Sequence, residues 1–202
     1  MSYDLRNMVW KGHYLGTQPG DVMMHVPVDA YLAKQNDKVR IFGPYHLETL
    51  AVARNPTHVP PVEGSAAKAL EVFTRERIGV ETGTLADDFL VGVMAGRLRE
   101  NVRHYRNLAQ AAEAMREGEI SAVMAPRTEL EAALAGDTRF PIDAVRMPEL
   151  RVKGWAVGMA VKSDDEQLAT ALSQALATLE QNGTVAKIFA HYGVTLASPD
   201  VH

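Results

Sequence analysis

The chain has 202 residues, 47% of them hydrophobic and 23% charged, with a formal charge of −4. That is ordinary globular composition, long enough for one large domain or two small ones, and the weak negative balance offers no basic field for nucleic acid or an anionic membrane. There are no cysteines, which removes disulfides, thiolate metal sites and cysteine nucleophiles together; the 7 histidines are scattered without a ligand-like spacing, so no metal and no cofactor is expected.

The opening stretch, Met1 to Gly20, is polar and aromatic, not a basic patch followed by an apolar run, so it does not read as a signal peptide. No stretch approaches the ~18 consecutive apolar residues of a membrane span. Asp21 to Val26 is a short apolar run of the kind found in a buried parallel sheet. Val39–Phe42 and Thr49–Ala53 read as two more strands, with Gly43-Pro44 as a turn. Asn55 to Pro61 packs three prolines into seven residues, a stiff segment expected to cross between two lobes.

From Ser65 onward the pattern alternates. Ala66 to Phe73 reads as helix, Ile78–Glu81 as strand, and Leu85–Ala95 as a helix ended by Gly96. Val102–Tyr105 is a strand, and Asn107 caps a helix carrying Leu108, Ala111, Ala112 and Met115 that Gly118 closes. Ile120–Met124 is a strand and Thr128–Leu134 a short helix. Strands and helices alternating at short connections predict a parallel sheet wrapped by helices. Further on, Trp155–Val161 is a strand. Ser163 with Glu166 forms a capping box before a helix bearing Leu168, Leu172, Leu176 and Leu179. Asn182-Gly183 stops that helix, and Thr184 caps another carrying Val185, Ile188, Phe189 and Tyr192. No internal repeat or low-complexity tract occurs.

The stretch Lys153 to Val194 resembles the C-terminal end of bacterial extracellular solute-binding proteins of family 3, through Gly154 to Lys162 and then Gly183 to Gly193. Three further landmarks keep the family order: Asp21-Val22-Met23-Met24 with Phe42-Gly43-Pro44-Tyr45, Gly79 to Thr84, and Ala112 to Val123. No single motif is specific, but together they span nearly the whole chain. The resemblance implies an α/β, two-lobed periplasmic binding protein-like fold of type 2, with the first lobe incomplete. Residues 1–55 would be the remainder of lobe 1, 56–64 the crossing, 65–152 lobe 2, and 153–202 a strand and helices packing across both. Family members begin with a strand–helix–strand unit ahead of the segment near Val9-Trp10-Lys11, and the loss of a central strand would expose apolar sheet. A swapped or tightly packed homo-oligomer is therefore expected.

Ligands of open α/β folds sit outside the carboxyl ends of the strands. With the resemblance, this selects His25, Val26 and Asp29 after the first strand, Tyr45 and His46 after Pro44, Thr82, Gly83, Thr84 and Leu85 in the second lobe, and Pro126 after the strand ending at Met124. Each has a structural alternative. Thr84 with Asp87 is an ordinary T-x-x-D cap, and Asp87 and Asp88 already place two carboxylates in the first helical turn. His25 would equally suit a core position at a strand end, and Trp10 and Trp155 suit packing better than stacking. Arg103, His104, Tyr105 and Arg106 fit a solvated basic-aromatic patch.

Amino-acid-binding members of the family carry an Arg after the corresponding first-lobe segment that grips an α-carboxylate, and an Asp that pairs the α-ammonium. Here Asp29 to Lys34 contains no Arg and Pro126 occupies the second place; Leu85 replaces a Thr. An Arg–carboxylate pair is bidentate and charge-assisted, so its loss changes the ligand chemistry. The resemblance thus implies a non-enzymatic, periplasmic receptor for a small molecule, feeding a membrane permease, and not a standard amino-acid receptor. Two alternatives remain. One is an accessory protein of a quinoprotein methanol or alcohol dehydrogenase, a periplasmic partner favoured mildly by Met23 and Met24. The other is a cyclohexadienyl dehydratase-like enzyme, which needs a general acid such as Glu48 or Glu81 and an Arg for a carboxylated substrate. No catalytic motif (G-x-S-x-G, H-E-x-x-H, P-loop or G-x-G-x-x-G) is present, so no catalytic residue is assigned.

Overall fold

The structure, a computed structural model, describes residues 1–13 and 15–199. In chain order the elements are α1 (Ser2–Leu5, continuing as a wider π-turn over Arg6–Trp10), β1 (Met23–Pro27), α2 (Ala30–Gln35), β2 (Val39–Glu48), β3 (Leu50–Arg54) and α3 (Ala66–Ala69). There follow β4 (Ile78–Glu81), α4 (Leu85–Gly92), β5 (Val102–Tyr105), α5 (Leu108–Arg116), β6 (Ala122–Pro126), α6 (Arg127–Leu134) and β7 (Ile142–Ala144). The last three are β8 (Trp155–Lys162), α7 (Glu166–Gln181) and α8 (Thr184–His191). No helix among the described residues is long and apolar enough to cross a membrane.

The chain divides into two units: unit 1 holds residues 1–48, 155–191 and 196–202, and unit 2 holds 49–154 and 192–195. The passages between units fall at Glu48/Thr49 and Gly154/Trp155, not in the proline-rich segment. That segment belongs to unit 2 and is pinned there: the Asn55 amide donates to the Ser121 carbonyl at 2.8 Å and Val59 is fully buried. The expected strand over Thr49–Ala53, assigned to lobe 1, is β3 of unit 2, whereas β8 belongs to the sheet of unit 1.

Unit 1 is built on a three-stranded sheet in the order β1-β8-β2, antiparallel throughout. The parallel arrangement expected for the first strand is therefore not found; β1 and β2 flank a strand that returns from far along the chain. On one face Leu5 and Val9, four residues apart and so on one side of the N-terminal helix, pack with Val26, Val39 and Ala160. On the other, Gly43 approaches the Met159 methyl and the Leu176 side chain of α7. Gly43-Pro44 is not a turn. β2 runs straight through it with a register shift between Phe42 and His46, and Gly43 takes φ +62°, so the pair forms a bulge where no ladder donor is required of Pro44. A second bulge lies between Met24 and Val26, with His25 at φ 60°.

The leucine stripe of α7 is only partly covered: Leu168, Leu172 and Leu176 are half-buried, Leu179 is 39% exposed, and Ala169 is the one buried residue of the helix. The cap lies two residues later than expected. Asp165, not Ser163, accepts from the Leu168 amide (3.0 Å), because Ser163 is still tied to the strand edge through the Lys38 carbonyl. Likewise Asn182 accepts from the Thr184 amide, and Thr184 is the first residue of α8.

Unit 2 has a five-stranded sheet in the order β5-β4-β6-β3-β7. β4 pairs in parallel with β5 and β6, as the alternating pattern predicts; β3 is antiparallel to β6 and β7. All five residues of β3 are buried, as in a strand covered on both faces. One face packs Ala51, Ala53, Val123 and Ala125 against the apolar sides of α5 and α6 (Leu108, Ala111, Met115, Leu130, Leu134). Asn107 caps α5 as expected, accepting from the Gln110 amide. Arg116 at the end of α5 donates to the Ala133 and Leu134 carbonyls, satisfying the open end of α6. Asp137 receives both Arg139 and Arg116, and the Arg139 hydrogen bond lowers its pKa to about 2.

α4 stops at Gly92, three residues short of the expected end. Val93 is extended, and Met94 (φ 53°), Ala95 (φ 56°) and Gly96 (φ 79°) are all left-handed. For the two residues with a Cβ this conformation costs about 1–2 kcal/mol each. Ala135, after α6, is left-handed too (φ 50°, ψ 42°) and exposed. Ala135→Gly is expected to raise stability by about 0.5–1 kcal/mol in urea denaturation; a decrease would contradict this assignment of strain.

Candidate functional site

The carboxyl ends of β4, β5 and β6 in unit 2 carry the loops over Thr82–Thr84, Arg106 and Pro126. The Thr82 amide and hydroxyl both donate to the Tyr105 carbonyl, at 3.0 and 3.1 Å, joining the first two loops. Gly83 takes φ +76° to turn the strand into α4, a conformation that favours glycine. Thr84 is the N-cap: its hydroxyl donates to the Glu81 carbonyl (2.8 Å) and accepts from the Asp87 amide (3.3 Å).

The Asp87 carboxylate does most of the local organising. One oxygen accepts from the Gly83 amide (2.9 Å) and the other meets His104 Nε2 (2.8 Å) at the end of β5. An anionic group arriving at this helix end therefore finds the Gly83 amide already engaged. The amides of Leu85 and Ala86, in the first turn, have no intrahelical acceptor and remain the available donors. Leu85 is 39% exposed. The His104–Asp87 pair was missed in the sequence; a T-x-x-D cap next to a histidine at the end of the neighbouring parallel strand is the signal that could have revealed it.

Pro126 ends β6 at the N-cap position of α6 and offers no side-chain donor. The adjacent Arg127 is committed to Glu131, one turn on (Nε to Oε1 2.9 Å), and Glu131 also accepts from the amide and hydroxyl of Thr195 at 2.7 and 2.9 Å.

In unit 1 the candidates separate into two groups. His25 is exposed on the β1 bulge rather than in the core, and its amide donates to the Tyr45 hydroxyl at 3.1 Å. Tyr45 is half-buried, and burial raises its phenol pKa above 10.0, so it acts as a neutral hydrogen-bonding group. Asp29 is exposed, but Oδ1 caps α2 through the Leu32 amide at 2.7 Å.

Val26 and His46 do not reach solvent. Val26 is fully buried in the core beneath α1, and His46 is 2% exposed. His46 Nδ1 accepts from the Ala197 amide (3.1 Å), its ring lies 5.1 Å from that of Phe189, and Nε2 is 3.7 Å from the equally buried Glu48. The physical reason is the two-residue alternation of β2 after the bulge: with Tyr45 directed outward, His46 must point inward. Glu48, considered as an acid in the enzyme alternative, is likewise buried (1% exposed).

No protein-family model matches the chain, and no curated protein matches it by sequence. Solved structures do match. An ancestral cationic amino acid solute-binding protein superposes with a TM-score of 0.66 at 15% identity, over 86% of this chain and 69% of that one. An amino acid ABC transporter substrate-binding protein from Streptococcus pneumoniae, solved bound to L-arginine, gives 0.64 at 14% identity, over 88% and 70%. A histidine kinase sensor domain with similarity to periplasmic binding proteins gives 0.59 at 16% identity, over 88% and 72%. Two α/β units, their strand order and these superpositions together establish that the chain has the periplasmic binding protein-like fold that its sequence resembles.

Proposed function

We propose that this protein is a non-enzymatic receptor for a small solute, acting outside the cytoplasm with a membrane permease, and that its ligand is not an ordinary α-amino acid. The observation that carries the reading is how the polar groups at the candidate positions are spent. Asp87 is held by Gly83 and His104, Asp29 caps α2, and Arg127 is paired with Glu131. A charged clamp for an α-carboxylate and an α-ammonium is not on offer at Asp29 or Pro126, while neutral hydrogen-bonding groups are: the first-turn amides of α4 in unit 2 and, in unit 1, the Tyr45 hydroxyl, which accepts from His25 and keeps its own proton to donate. The fold supports the receptor role, since superposed structures include solute-binding proteins.

A thermal-shift panel of organic acids, amines, polyols and L-amino acids tests this. A true ligand at 100 times its Kd stabilises the folded state by about 2.7 kcal/mol. For a chain of this length that raises Tm by roughly 5–10 °C. The expected result is a shift of that size from a solute other than a standard L-amino acid. Stabilisation by ordinary L-amino acids would overturn the proposal.

Self-association is part of the same proposal. Unit 1 exposes Tyr3 (62%), Met8 (56%), Met24 (55%) and Tyr31 (73%), and sedimentation velocity reads whether a second copy covers them.

A further inference from the structure

We propose that unit 2 carries a second binding site, an apolar groove beside α4 that borders the solute site at Leu85 and takes a small amphiphilic monocation: an aliphatic or aromatic amine with an apolar body. The inference is independent of the solute-receptor reading. The groove has a volume of about 630 Å³, within the span of small-molecule sites. Leu85, Phe89, Met94, Leu150 and Val152 supply its apolar lining, and Leu85 and Val152 keep 39% and 41% of their surface exposed.

Two features mark it as a built site rather than a surface wrinkle. Met94 enters the lining from the left-handed break after α4, where two consecutive residues with a Cβ hold positive φ. Backbone strain of this kind collects at ligand contacts, and the flexible thioether adapts to varied apolar shapes. The charge of the lining also points to one ligand class. Asp88 has no ion-pair partner among the described residues, and Glu149 has one oxygen accepting from the Ala66 amide at 3.0 Å. Arg151 is the only cation in the lining, so two carboxylates face one guanidinium and a positive head group completes the balance. A carboxylate ligand would add a third negative charge.

The experiment uses the full chain with ¹³C-methyl methionine, titrated with hexylamine hydrochloride, sodium hexanoate and 1-hexanol. Hexylamine is expected to shift the Met94 methyl resonance saturably, leaving the buried Met115 and Met124 in place. Hexanoate should bind more weakly than the neutral alcohol. Asp88→Asn should weaken hexylamine roughly threefold, the scale of one exposed charge pair. Val152→Ser should weaken it about tenfold by removing apolar contact, and because the side chain is exposed the variant should melt as the parent does. An unmoved Met94 signal, hexanoate binding as tightly as hexylamine, or full affinity in Val152→Ser would each overturn the proposal.

Discussion

Gly158→Ala is expected to unfold unit 1. Gly158 lies in β8, the strand that both β1 and β2 pair with. A Cβ there would be driven into the Phe42 carbonyl oxygen, to 2.9 Å from the Gly43 oxygen and to 2.8 Å from the Val28 methyl. Two of these obstacles are backbone atoms on the β2 bulge, and the bulge is held in place by the pairing of β2 with β8 on both sides of it. The Phe42 and Gly43 carbonyl oxygens cannot swing aside as a flexible side chain would. Because β8 is the middle of three strands, its displacement leaves no strand pair intact. The cost should exceed about 4 kcal/mol, the range reserved for severe steric faults. Thermal melting followed by circular dichroism would lose the transition of unit 1; a melting curve matching the parent would refute the close approach of β8 to the bulge.

Arg54→Met is expected to cost unit 2 about 3 kcal/mol, and to be partly rescued by Asp143→Leu. Arg54 is 9% exposed; Nε sits 2.6 Å from Asp143 Oδ2, and Nη1 donates to the Val59 carbonyl at 3.1 Å. The same Asp143 oxygen accepts from the Val62 amide at 3.0 Å. One ion pair therefore secures the strand β3, the edge strand β7 and the segment leading out of the prolines. Removing the arginine leaves a largely buried carboxylate without its counter-charge, which is costlier than removing the pair. Urea denaturation of the two single variants and the double one should give a coupling energy of at least about 1 kcal/mol. Additive losses would show that the pair contributes little.

Much of unit 2 could be read in the sequence because its signals are local. Asn107 and Thr84 cap where their spacing says, and β4, β5 and α6 fall close to their expected positions. What stayed hidden depends on partners distant in the chain. β7 is three residues long with a charged centre, Asp143, and its strand character comes from β3 and Arg54. The antiparallel sheet of unit 1 could not be read because β8 enters it from more than a hundred residues away. The N-terminal helix was missed because only Leu5 and Val9 are buried along it, too few to mark a face.

At the candidate site the same division applies. The loop at Gly83 was legible because a tight strand-to-helix turn needs a glycine and a cap. The burial of His46 was not, since one bulge at Gly43 decides which of Tyr45 and His46 faces inward. The early end of α4 was likewise illegible: Met94 and Ala95 fit a helix by propensity, and only the folded chain places them in the left-handed region.

Amide chemical-shift mapping with the strongest stabilising solute from the thermal panel tests the receptor reading most directly. The account predicts saturable shifts at the Thr82, Leu85 and Ala86 amides of the α4 entrance in unit 2. A panel without any stabilising solute, or a bound solute that leaves all of these amides unmoved, would contradict it.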